Sequence, residues 1–292
     1  MKLLTSTQLL SKKFGIKEAI HIIKESGFDG YDCAIQSLVP QKDTKEREYY
    51  LEMAREIRAY SDSLGIPCLQ THSVSASLRS PEVFDHCFAL EKLSVEMSGI
   101  LGADVSVVHP AFHLDAEENY KQFYSKLVPI AKEGGFKVAT ENMFVGRKND
   151  EGIYQTFPGP CGTAEDFVRF IDVAKDPAYT ACLDIGHACM INCEGAPTLI
   201  RALGHDRLGA LHVHDNDCIH DEHIFPYFGK IDWDEVCRAL AEIDYTGHFS
   251  FEADAGYVRL PSNLLANGCE LLAKIGRDLI NRIESYKAQD DA

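Results

Sequence analysis

Residues 179–187 read YTACLDIGH. The run Tyr179–Leu183 is apolar or small throughout, as a strand covered on both faces requires. It stops at Asp184. Gly186 lets the chain turn tightly, so that Asp184 and His187 can face the same way. One apolar strand ending on a metal-type side chain is a weak signal. Its recurrence along the chain decides the fold.

Ile66–Thr71 runs to His72, Ala103–Val108 to His109 and Phe136–Thr140 to Glu141. Leu208–Leu211 runs to His212 and His248–Phe251 to Glu252, and two earlier strands are expected at Lys2–Ser6 and Phe28–Ala34. Helical periodicity fills the gaps: Ile16 to a stop at Gly27, then 45–64, 81–101, 119–134, 164–174, 197–203, 231–243 and 263–286. Strand and helix alternation predicts an α/β fold of parallel strands under helices. Eight such units in 292 residues fit a closed (β/α)8 TIM barrel, expected as a single domain over 1–292. An open doubly wound sheet fits less well, because no GxGxxG follows the first strand. The irregular stretch Met143–Cys161 is expected to lie over the C-terminal mouth, where lids and substrate loops sit.

Composition narrows the function. The formal net charge is −16, which opposes nucleic acid as a partner. Ten scattered cysteines without a CxxC pair read as reduced thiols. The N-terminus lacks a continuous apolar stretch of signal-peptide length and no segment approaches a membrane span, so a cytoplasmic location is expected.

In a barrel, the C-terminal strand ends ring one mouth. His72, His109, Glu141, Asp184, His212 and Glu252 therefore converge. Gathering carboxylates costs free energy that a divalent cation removes. This mixed nitrogen and oxygen set suits Mn²⁺, Zn²⁺ or Fe²⁺. The stretch HVHDNDCIHDEH, 212–223, adds a third of the chain's 12 histidines. Asp221 and His223 alternate by two and fall on one side of an extended loop. His214 is expected inward, His220 outward, Asp215 against a histidine ring from behind, and Cys218 as a packing or loop residue.

The motifs His109-Pro110, Glu141-Asn142, Asp184–His187, His212–Asn216, Asp221–His223 and Phe251-Glu252, in this order over nearly the whole chain, resemble the xylose isomerase-like TIM-barrel superfamily. That superfamily includes sugar phosphate isomerases and epimerases, inosose dehydratases and endonuclease IV-type enzymes. Resemblance to its ketose epimerases implies one divalent metal, Mn²⁺ or Zn²⁺ with Co²⁺, Fe²⁺ or Mg²⁺ as alternatives, on Glu141, Asp184, His212 and Glu252. It implies a small carbohydrate substrate, Glu141 and Glu252 as the acid/base pair beside the carbonyl, and His187 as a substrate contact. Resemblance to the endonuclease branch implies two or three zinc ions and phosphoester hydrolysis, with His72, His109, His187, Asp221 and His223 as further ligands. A dehydratase would begin with the same proton abstraction as an epimerase. Members of this fold often pair, so a homo-oligomer is a further implication. Specificity is expected from the loops at Thr7–Gln8, 31–36, 73–78, 111–115, 143–161 and 254–259. Phe112, Phe144 and Tyr257 are candidates for packing on a sugar face.

Overall fold

A computed structural model describes residues 1–40, 45–74, 83–190, 192–258 and 260–290. Eight parallel strands form the wall: β1 (Leu3–Thr5), β2 (Tyr31–Ala34), β3 (Cys68–His72), β4 (Val105–Val108), β5 (Lys137–Glu141), β8 (Tyr179–Asp184), β9 (Leu208–His212) and β10 (Phe249–Phe251). Six of them run β2-β3-β4-β5-β8-β9, and β1 pairs with β10. Single bridges at Ser6–Asp32 and Val213–Phe251 join the two sheets into a ring. The α/β barrel expected from the alternation is therefore present.

The register aligns the strand ends. Glu141 lies opposite Cys182, and Asp184 opposite His212. His72 pairs with Ala34 on one side and Val107 on the other. The polar strand ends thus sit at one level because the ladder holds them there, not because their side chains attract.

Helices cover the outside through apolar stripes. Ile16–Glu25 buries Ala19, Ile20 and Ile23, at the three- and four-residue spacing of a helix face. Arg47–Leu64 buries Leu51, Ala54 and Ile57 and ends on Gly65 at φ 67°, a left-handed cap that favours glycine. Tyr124 shows how packing positions the site. Its ring is fully buried, and its hydroxyl donates to the Val108 carbonyl at 2.8 Å and meets Thr140 Oγ1 at 2.8 Å. Those two residues immediately precede His109 and Glu141.

The barrel interior has two halves. Val105, Val107, Ala139, Cys182 and Ala210 form a small apolar cluster on β4, β5, β8 and β9. Asp32, Gln70 and Ser250, from β2, β3 and β10, form a hydrogen-bonded polar group.

Four details differ from expectation. The stretch 143–161 is not irregular: it holds an antiparallel hairpin of β6 (Phe144–Lys148) and β7 (Tyr154–Pro158). A helix at Gln8–Phe14 precedes the expected one. The helix expected over 119–134 has a wider turn at Tyr120–Tyr124, just before the segment carrying Pro129, which lacks the N–H of a regular helical ladder. The helix expected from Pro81 begins at Phe84 among the described residues, and 75–82 lie outside them. All ten cysteines are free thiols. No helix among the described residues is long and apolar enough to cross a membrane.

Candidate metal centre

A cavity of about 520 Å³ opens at the C-terminal mouth. Strand ends and the loops after them supply His72, His109, Glu141, His187, Asp221, His223 and Glu252 to its lining. Gln8 and Gln36 line it from the first two loops. Met143, Phe144, Val145, Gly146 and Tyr154 line it from the hairpin and its approach.

Donor atoms fall into three groups, each with all its members within 4.8 Å of one another. The first is His72, Glu141, His212 and Glu252; the second Glu141, Asp184 and His187; the third His187, His214, Asp221 and His223. Glu141 links the first two and His187 the last two. Within the first, His212 Nδ1 lies 2.8 Å from Glu141 Oε1 and 3.4 Å from Glu252 Oε2. His109 adds its Nε2, 2.9 Å from Glu141 Oε2 and 3.2 Å from His72 Nε2. In the third, Asp221 Oδ2 lies 3.5 Å from His187 Nε2 and 3.1 Å from His223 Nε2. His214 Nε2 lies 3.1 Å from Asp184 Oδ1.

The rings are held from behind by main chain. His72 Nδ1 lies 3.0 Å from the Ser73 carbonyl, His187 Nδ1 2.9 Å from that of Asn142, and His223 Nδ1 2.7 Å from that of Glu252. A carbonyl only accepts, so Nδ1 carries a proton, and each ring, once neutral, turns an Nε2 lone pair into the cavity. Asn142 also fixes Asp184, receiving its N–H at 2.7 Å and donating to its carbonyl at 3.0 Å. Asp184 Oδ1 in turn accepts the His187 N–H at 2.7 Å, starting the short helix Ile185–Ala188. The approach is close at Gly186, where an added Cβ would lie 1.9 Å from His214 Cε1.

These residues fit a divalent cation. Glu141 Oε2, Asp184 Oδ2 and His214 Nε2 are buried and make no well-aligned hydrogen bond, although His109 Nε2 and Asp184 Oδ1 come within 2.9 and 3.1 Å of the first and last. Folded proteins rarely leave such atoms unsatisfied. Without a cation, protons must balance the charge. Burial alone would raise Glu141, but the charges of His212 and His109 outweigh it and hold its carboxyl well below the usual range. Burial opposes a charge on His72, yet the Glu141 hydrogen bond and the Glu252 charge raise it to about 9. His223 is raised to about 10 against its burial, by the Asp221 hydrogen bond and the Glu252 charge. Both rings carry a proton near pH 7 in the metal-free protein, and ligation removes it. Filling the groups that contain His72 and His223 is therefore expected to release protons, and affinity to rise with pH. Calorimetry of Zn²⁺ binding in buffers of different ionisation enthalpy checks this. No proton release at pH 7 would refute it.

Most expected side chains meet at the mouth. His214 is fully buried and turned inward, and the His220 side chain is 61% exposed, where it pairs with Asp217. Asp215 backs the His214 ring only through its main-chain carbonyl, 3.4 Å from Nδ1. Its carboxylate accepts four N–H groups, from Asn216, Tyr227, Ile231 and the Trp233 indole, and pins the loop 216–233 instead. Phe144 lines the cavity, whereas Tyr257 is buried against Phe225. Of the expected specificity loops, 75–78 and 259 lie outside the described residues. Sequence reasoning missed Asp32, a buried carboxylate 3.5 Å from His212 Nε2. An acid in an otherwise apolar strand was the available signal.

Residues 20–275 match the family described as xylose isomerase-like TIM barrel. The chain belongs to that family. An uncharacterized protein of Methanocaldococcus jannaschii is 27% identical over 268 residues, covering 85% of each chain. Among solved structures of this barrel type, a D-tagatose 3-epimerase-like protein aligns at 20% identity and TM-score 0.67, over 97% of this chain and 100% of the other. A D-allulose 3-epimerase from Methylomonas sp. aligns at 17% identity and TM-score 0.70, over 97% and 98%. At these identities the structural likeness speaks for the xylose isomerase-like barrel itself.

Proposed function

We propose that the protein is a divalent-metal-dependent isomerase or epimerase of a sugar, sugar phosphate or related polyol ketone. Glu141 and Glu252 exchange a proton with the carbon beside a carbonyl. One observation carries the reading: both glutamates line one cavity and approach the same His212 nitrogen, at 2.8 and 3.4 Å, from β5 and from the end of β10. Each carboxylate has two oxygens, one to hold the cation and one to move a proton. Glu141, Asp184, His212 and Glu252 would hold the ion that polarises the reacting oxygens. His187, its Nδ1 tied to the Asn142 carbonyl, offers Nε2 to a substrate hydroxyl. Met143, Phe144 and Val145 give one side of the cavity an apolar lining. Two of the similar barrels are named as epimerases, or epimerase-like, of D-tagatose and D-allulose, which supports a sugar substrate.

The test is proton exchange. Ketoses and inositol ketones incubated in deuterated water with Mn²⁺-loaded protein are expected to gain deuterium beside the carbonyl, read by NMR. Loss of water from the same substrates would make the enzyme a dehydratase. A full panel without exchange refutes the proton-transfer reading.

The linked donor groups favour a second reading, a two- or three-zinc phosphoester hydrolase, since they hold more donors than one ion takes. Elemental analysis of protein purified without chelator separates the two. One ion per chain supports the isomerase reading. Two or three zinc ions with phosphodiester cleavage support the hydrolase.

A further inference from the structure

His212 is turned the opposite way from three other rings at the mouth. His72, His187 and His223 tie Nδ1 to main-chain carbonyls and present Nε2. His212 presents Nδ1 to Glu141 and Glu252. A neutral imidazole carries one proton, so an Nδ1 lone pair requires the proton on Nε2, and that proton needs an acceptor. His212 Nε2 points into the barrel interior, where Asp32 Oδ2 lies 3.5 Å away.

We propose that Asp32 is a positioning residue that holds His212 in its Nε2–H tautomer, with the Nδ1 lone pair aimed at the cation. This rests on His212 being a ligand, as proposed above. Asp32 and His212 are each 1% exposed, so water does not compete for the bond. His212 Nε2 and Asp32 Oδ1 are both buried and without a hydrogen-bond partner. The oxygen nearest Nε2 is Oδ2, which has room for a further bond beside those from Gln70 and Ser250, and a donor unsatisfied at this depth takes the nearest carboxylate. A shift of about half an ångström brings the pair to ordinary hydrogen-bond length.

The carboxylate is itself held. Asp32 Oδ2 accepts from Gln70 Nε2 at 2.8 Å and from the Ser250 hydroxyl at 3.1 Å. Gln70 Nε2 also reaches across the barrel to the Leu211 carbonyl at 3.2 Å, on the residue before His212. The chain Leu211–Gln70–Asp32–His212 thus closes on itself and ties β2, β3 and β9 together. Cys182 is a further polar side chain beside the ring. Burial pushes its thiol up to about 12, and a neutral thiol is a weak acceptor. Asp32 is the partner that fixes the tautomer and makes the ring a stronger donor to a metal.

The test compares Asp32→Asn and Asp32→Leu with wild type. Asn removes the charge and keeps an oxygen for Gln70 and Ser250. Leu removes the acceptor altogether. Both are expected to bind Co²⁺ about 10–100-fold more weakly. The visible spectrum of bound Co²⁺ is expected to shift. Long-range ¹H–¹⁵N spectra of ¹⁵N-histidine protein report the ring directly, His212 being the signal lost in His212→Asn. Loaded with Zn²⁺, wild type is expected to show a neutral ring protonated at Nε2, and the Asp32 variants a mixture of rings protonated at Nε2 and at Nδ1. If the Leu variant does not fold, the Asn variant decides alone. Wild-type Co²⁺ affinity and an unchanged tautomer in Asp32→Asn overturn the role of Asp32. Should His212→Asn also bind Co²⁺ as wild type does, His212 is not a ligand and the underlying reading falls with it.

Discussion

Glu141→Gln is expected to bind its cation about 100-fold more weakly and to turn over roughly 10³-fold more slowly. Glu141 is the residue shared by the first two donor groups, and it is buried at the end of β5. Its Oε1 faces His212 Nδ1 at 2.8 Å, and its Oε2 faces His109 Nε2 at 2.9 Å. A carboxamide offers one neutral oxygen where the carboxylate offers two charged ones, so ligation and proton transfer fail together. Glu252→Gln separates these effects. Glu252 belongs to one group only, so its loss is expected to reduce turnover by a similar factor while metal affinity falls less. Metal titration alongside steady-state kinetics tells the two roles apart. Wild-type metal affinity and turnover in Glu141→Gln would remove this glutamate from the centre.

Asp215→Ala is expected to destabilise the fold by on the order of 4 kcal/mol, because it strands four buried or part-buried donors at once. Oδ1 accepts from the N–H groups of Asn216 at 2.9 Å and Ile231 at 3.2 Å. Oδ2 accepts from the Tyr227 N–H at 2.9 Å and the Trp233 indole at 2.8 Å. These contacts fold the loop 216–233 back on the end of β9, and Asp221 and His223 ride on that loop. The variant should therefore lose the third donor group as well as stability, whereas Asp215→Asn, which keeps one acceptor oxygen, should lose less of both. Urea unfolding with and without Zn²⁺ measures the two losses. A change below about 1 kcal/mol in Asp215→Ala would show that water replaces the carboxylate.

The barrel was legible because its strands are short, apolar and end on the same few residue types. The mouth followed from that topology: once the strands are parallel and closed, His72 and Glu252 must meet although 180 residues separate them. What stayed hidden depends on side-chain direction. YDCA in β2 reads as a buried strand, and nothing in it says that Asp32 points inward at His212 rather than outward at a helix. Asp215 was misplaced for the same reason. A histidine ring was expected as its partner, while its carboxylate takes donors as far on as Trp233, brought close only by the folded loop. The hairpin β6–β7 was missed because glycines and prolines around it, at 146, 152, 158, 159 and 160, read as irregular chain. Gly152, at φ 79°, belongs to the turn that makes the hairpin.

The carbonyls behind His72, His187 and His223 carry a consequence for how such a protein can change. A backbone oxygen survives substitution of the residue that bears it. A substitution at Ser73, Asn142 or Glu252 leaves the same acceptor for the ring, whatever it removes of the side-chain roles of Asn142 and Glu252. The aim of these imidazoles is thus inherited with the path of the chain, while Gln8, Gln36, Phe144 and Tyr154 are free to drift around them. A directed-evolution campaign for new substrates can therefore randomise the rim without dismantling the centre beneath it.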